Sequence, residues 1–301
     1  MNRRLAAGLA LLALLCCLAA TGGLVAPHER GYSKSIHVEN VEGKPRYFVA
    51  PEAPGRHFVM GSDVWGFDLF SEMLHGLRWT LGIVFATALI RCTIGLAIGL
   101  AVGVSSRGPS ARHGFTPLAA IPGFILASFV LYPLTINSPL PPIGLFIFQT
   151  SVIAFVELPP VIASFAAKTA ALVAMPFVEA ARVGGAGKAW IIRHHVLPFV
   201  VVDYIEALPI QALSAAAMVG KLGLVRIFIG GTTLTYDPMI YLPAKGEWLG
   251  LLGYYYPTVL GYPWLFLAPF GGWLLVLACV SLLASGLRRV YARSRKIHAL
   301  L

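Results

Sequence analysis

A chain of 301 residues with 57% hydrophobic and only 12% charged side chains does not fit a soluble domain, whose charged share is about 25%. A mean hydropathy of +0.77 excludes intrinsic disorder and leaves a polytopic membrane protein. The formal charge of +10 would suit nucleic acid only if its cations gathered on one soluble face, so their placement decides.

Six stretches approach the roughly 20 apolar residues that a helical span needs. In chain order they cover residues 5–26, 79–104, 116–137, 143–167, 198–219 and 263–287. The first follows Arg3 and Arg4 and exceeds the about 7–15 apolar residues of a signal-peptide core, so it reads as an uncleaved helix. Pro122 and Pro133 interrupt the third. Cys16, Cys17, Cys92 and Cys279 all lie in apolar runs without metal-site spacing, and read as small lipid- or core-facing residues.

With the N-terminus inside, segments 1–4, 105–115, 168–197 and 288–301 carry 13 Lys/Arg and one acid, Glu179. The outer segments 27–78, 138–142 and 220–262 carry 9 Lys/Arg and 9 acids. The basic excess is therefore a positive-inside signal, with both termini cytoplasmic and no nucleic-acid partner. The expected fold is all-α: an N-terminal helix (1–26), an extracytoplasmic segment (27–78), a five-helix core (79–287) and a basic tail (288–301) suited to anionic membrane lipid. Residues 36–38 and 47–49 read as short strands. Trp248, Tyr254, Tyr255, Tyr256 and Tyr262 in the outer loop 220–262 read as an interfacial aromatic belt, with a docking surface as the second reading.

No enzyme signature is present. Gly184-Gly185-Ala186-Gly187-Lys188 fails as a phosphate loop, because Arg182 replaces the first Gly and Ala189 the magnesium-binding Ser/Thr. His28, His37, His57 and His75 match no compact ligand set, so no metal is expected. Gly95, Gly99 and Gly103 recur every four residues and form a smooth ridge for close helix packing. Arg91 and Glu157 lie mid-span, where a bare charge costs at least about 2.5–3.5 kcal/mol, so they either pair or line a pathway. Pro159-Pro160 must break or kink the fourth span.

The inner loop 168–197 carries the most specific pattern. Pro176 suits a first helical turn, and Glu179 lies near the positive end of that helix. Phe177, Ala180, Ala181 and Gly184 share one narrow face, and Gly184-Gly185 ends the helix. Residues 188–195 form a second short helix, limited by Pro198. Such a helix-turn-helix with a small-residue face is shaped for another protein's groove.

At this point the chain resembles a family. Glu179, Ala180, Ala181, Gly185, Leu197 and Pro198 fall at the spacing of the EAA loop of binding-protein-dependent ABC importer permeases. His195 resembles the oligopeptide/dipeptide/nickel branch, as does the segment 60–71, which departs from the branch pattern at Ser62 and Phe67, and just beyond it at Glu72. The resemblance covers about residues 58–290. It implies a type I importer subunit in a bacterial or archaeal plasma membrane. Glu179, Ala180, Ala181, Gly184, Gly185, His195, Leu197 and Pro198 would couple to an ATPase. The implied partners are a second homologous permease, two ATPase subunits that bind ATP and Mg, and an extracytoplasmic solute-binding protein; this chain itself holds no cofactor. The alternative is an ion-coupled secondary transporter using Arg91 and Glu157.

Overall fold

The computed structural model describes residues 3–41, 44–105, 121–237 and 239–298. The chain is mostly helical and multi-pass. Its long helices are α1 (Arg3–Val25), α2 (Leu69–Ser105), α8 (Leu197–Leu224) and α10 (Pro263–His298). Between them lie α3 (Gly123–Thr135), α4 (Pro142–Val156), α5 (Leu158–Val173), α6 (Pro176–Val183), α7 (Lys188–Ile191) and α9 (Trp248–Tyr255). Four helices are long and apolar enough to cross a bilayer, and α4 with α5, bent by 51°, makes a fifth span if counted as one. Helix α3 has 13 residues, too few to cross alone; residues 116–120 of the expected third span lie outside the described residues, as does most of the loop 105–115.

Helix α2 is the spine. It begins ten residues before the expected start at 79 because Asp68 caps it: its carboxylate accepts from the backbone N–H groups of Phe70 and Ser71, both at 3.3 Å. The preceding loop is organised by Asp63, whose Oδ1 accepts from Trp65 and Phe67 N–H, each at 2.9 Å. Burial pushes the Asp63 carboxyl up to about 6.

The glycine ridge of α2 packs against α5 of the same chain. A Cβ on Gly95 would lie 2.7 Å from Val161 Cγ1, on Gly99 2.5 Å from Phe165 Cβ, and on Gly103 2.5 Å from Thr169 Cβ. Ridge and helix therefore touch backbone to side chain over two turns. At Gly99 the next obstacle is the Ala166 backbone nitrogen at 3.0 Å, which cannot rotate away. Gly99→Leu is expected to separate the two helices at a cost above the about 1–3 kcal/mol of ordinary overpacking. Thermal unfolding in detergent checks this; a wild-type midpoint would mean the contact is slack.

Two antiparallel hairpins lie near the start of α2: β1 (Ile36–Val41) with β2 (Lys44–Val49), and β3 (Thr232–Tyr236) with β4 (Met239–Pro243). Helix α9 docks beside them. Trp248 donates its indole N–H to Met73 O at 2.7 Å and its backbone N–H to Thr80 Oγ1 at 2.9 Å. Tyr255 is buried and donates to Asp63 Oδ2 at 3.3 Å, while Tyr254 accepts from the Trp65 indole and lies under Arg226. The aromatic cluster is therefore mainly core: Tyr256 alone of the five is exposed. Its rings bond to α2 and to the loop before it, which neither a belt nor an open docking surface would do.

Two expected boundaries are corrected. Helix α7 does not stop before α8. A π turn over Ile192–Val196 joins them, and the Leu197 N–H reaches Ile192 O. The wider turn makes room for Pro198, which lacks an N–H and would otherwise crowd the carbonyl one turn back. Likewise α10 runs to His298, so the basic segment begins as a continuation of the last helix rather than a separate tail.

Candidate functional site

Two sites share one end-to-end axis. The first is the α5–α8 loop, at the opposite end of α2 from the hairpins, since Gly103 there touches Thr169 near the end of α5. Pro176 occupies the first turn of α6, and Val178 is the buried anchor, packed with Val161, Phe165, Ile191, Val196 and Val200. Glu179 and Arg182 pair at 2.9 Å on the solvent side. Helix α6 ends in a Schellman motif: the Gly185 N–H donates to Arg182 O and the Ala186 N–H to Ala181 O, each at 3.0 Å. Gly185 holds φ +87°, whereas Gly184 has an ordinary φ of −71°.

The exposed surface of this loop sets apolar side chains beside the charges of Glu179, Arg182, Lys188 and Arg193. Phe177, Ala180 and Gly184 face solvent, Ala181 is half-buried, and Val183 and Trp190 are 83% and 48% exposed. His195 ties the two arms together, with its ring 5.8 Å from Phe177 and 5.0 Å from Trp190. Leu197 and Pro198 sit at the start of α8, Leu197 half-buried and Pro198 exposed. The eight coupling residues expected from the sequence therefore form one continuous structure.

The second site lies inside the bundle. Arg91 on α2 is fully buried and meets Glu157 at 2.8 Å. Arg91 Nη2 donates to Ile153 O at 2.7 Å, and Ser214 of α8 donates to Glu157 Oε2 at 2.6 Å. Glu157 occupies the break between α4 and α5, where Pro159 and Pro160 fall in the first turn of α5 and lose no helical hydrogen bond. Its side chain is 29% exposed and opens onto a pocket of ≈ 350 Å³, also lined by Ser164, Phe165, Lys168, Gln211 and Ser214. Lys168 pairs with Asp203 at 3.2 Å on the same pocket's flank. The pocket thus offers both charges and several hydroxyl or amide groups to a solute. Ser214, Gln211 and Lys168 were not singled out from sequence, because nothing in their local pattern sets them apart from ordinary polar residues of α5 and α8. The Gly95–Gly99–Gly103 ridge supports this site from behind by holding α2 against α5.

Helical spans, a broken helix at membrane depth and a polar interior pocket define the class: a multi-pass transport-type membrane protein. Comparison with known proteins narrows it. No protein-family profile matches the chain. Over 175 residues, 56% of this chain, it is 30% identical to the di/tripeptide transport system permease protein DppC of Pseudomonas aeruginosa (strain UCBPP-PA14); the match spans 54% of that relative, about half its length. Over 235 residues, 77% of this chain and 72% of the relative, it is 26% identical to the peptide transport system permease protein SapC of Escherichia coli O6:H1, and equally to that of Shigella flexneri. The chain is therefore similar to permease proteins of peptide transport systems.

Proposed function

We propose that this chain is the permease subunit of an ABC importer and forms half of a translocation pathway for peptides or a similar small solute. The observation that carries the reading is the α6 turn: a short solvent-facing helix with exposed Phe177 and Val183 beside the Glu179–Arg182 pair and a glycine stop in the left-handed region, of the kind that seats in a partner's groove. The partner would be an ATPase subunit, which binds the ATP and Mg that this chain has no loop to hold. A second homologous permease would complete the pathway, and an extracytoplasmic solute-binding protein would deliver the solute.

In this reading the chain crosses the membrane six times, with α3 and the residues before it as the third span. Closure of the two ATPases moves α6; α6 is anchored through Val178 to the α5 face that carries the pocket. Movement of the loop therefore reaches Glu157 through packed helices. Homology to permeases and the basic excess of the loop ends favour this over an ion-coupled carrier acting alone. Full-length chain isolated from native membranes should bring with it an ATPase and a second permease; solute uptake by the purified chain alone, driven by an ion gradient, would overturn the reading.

The orientation has its own test. A reporter fused after Pro54 should be extracytoplasmic, and one after Arg107, which lies outside the described residues, cytoplasmic. Both reporters on one side would refute the topology.

A further inference from the structure

Two cations flank one indole at the hairpin end of the bundle, with a third nearby. Lys245 Nζ lies 5.6 Å and Arg78 Cζ 5.8 Å from the centroid of Trp79. Arg30 completes the group: its charge and that of Arg78 both weigh on Lys245, whose ammonium is held below its ordinary pKa first by burial and then by these two neighbours. Glu72 is the carboxylate that acts on Arg30, and Asp63 lines the same pocket as both. Among the described residues, neither Arg78 nor Lys245 has a hydrogen bond or ion pair. Arg78 and Lys245 are thus cations without a counter-ion among the described residues, so what would complete the cluster is an anion with several acceptor oxygens.

The surroundings indicate what carries that anion. Trp79 stands where the apolar run of α2 begins, the depth at which indoles meet headgroups. Its ring lies edge-on to Phe146 of α4, with centroids 5.4 Å apart. On α4, Ile143 and Ile147 are 69% and 59% exposed. Cations next to a helix that exposes aliphatic side chains suit an amphiphile; a free carboxylate or phosphate would use only the charged half.

We propose that Arg30, Arg78, Lys245 and Trp79 bind the phosphodiester headgroup of an anionic phospholipid in the outer leaflet, with its acyl chains along Ile143 and Ile147. The site depends on the membrane embedding and orientation of the chain and not on transport, so it stands or falls separately from the permease reading.

Native mass spectrometry of the full-length chain, taken from membranes with equal phosphatidylglycerol and phosphatidylcholine, reads the site directly. The wild type should retain phosphatidylglycerol preferentially. Arg78→Gln/Lys245→Gln should retain it roughly thirtyfold less, the size expected when two cations near a headgroup are lost, while Arg78→Lys/Lys245→Arg should retain it. Equal retention of phosphatidylglycerol by the Gln variant would overturn the proposal, as would parallel loss of phosphatidylcholine. Displacement of the lipid by inorganic phosphate at constant ionic strength would overturn the lipid assignment in favour of a free-anion site. If the double variant does not insert, Lys245→Gln alone carries the test: about fivefold weaker retention is expected, and unchanged retention counts against the site.

Discussion

Gly185→Val is expected to abolish solute-stimulated ATP hydrolysis by the assembled complex while leaving the chain inserted in the membrane. The cause is backbone geometry alone. Gly185 sits at φ +87°, and no atom lies within 4 Å of where its Cβ would be, so valine meets no steric neighbour. A β-branched residue nevertheless resists the left-handed region. Leaving it would break the two Schellman hydrogen bonds and let α6 run on or fray. Either change moves Phe177, Val183 and Trp190, the surface through which the partner would be gripped. Two variants separate this from general damage. Gly185→Asn, which tolerates a left-handed backbone, should keep most activity. Gly184→Ala, at an ordinary φ, should be close to wild type, since its Cβ would meet nothing nearer than Ala181 O at 3.4 Å. ATPase assays on reconstituted complexes check all three. Wild-type coupling by Gly185→Val would remove the loop from the mechanism. Glu179→Ala should be milder, because a solvent-side charge at a helix start contributes about 0.3–1 kcal/mol.

The second large effect is expected at the buried pair. Arg91→Met strands Glu157 with only Ser214 as a donor, and Glu157→Gln strands a guanidinium that has no exposure at all. Removing one partner of a buried ion pair costs about 3–5 kcal/mol, largely because the other charge stays desolvated. The Arg91→Met/Glu157→Gln double variant should therefore lose much less than the sum of the singles. Thermal midpoints of the purified chain measure the coupling. Simple additivity would mean that each charge is compensated by something other than its neighbour. Transport should separate the two roles. Arg91 faces only protein, so its loss acts through assembly, whereas Glu157 opens onto the pocket and its loss should also alter solute uptake in variants that still fold.

Residues spaced by local rules were legible in the sequence. Apolar runs marked α1, α2, α8 and α10 because burial in lipid demands them wherever the helix packs. Pro159-Pro160 marked the break in the fourth span, because proline acts on its own helix. The α6 stop was legible as a pair of glycines, although only the hydrogen bonds show that Gly185, not Gly184, takes the left-handed turn. Loop 179–198 was legible as a pattern because its motif residues lie close together in the chain.

What waited for the tertiary structure was every question of partner. The glycine ridge announced a close approach, but its partner, α5, lies some sixty residues on and carries no complementary signature. The start of α2 at Leu69 depends on an Asp68 cap inside a polar segment, where hydropathy is silent. Trp248, Tyr254 and Tyr255 read as a surface belt, since composition does not distinguish an aromatic at an interface from one bonded to α2 and the loop that precedes it. Arg91 and Glu157 each had to find a counter-charge or water, which burial cost alone dictates; that they find each other, with Ser214 between them and a pocket on one side, is set by how α2, α5 and α8 cross. Local chemistry is written residue by residue, but contact between distant segments is a property of packed surfaces, and only the folded chain brings those surfaces together.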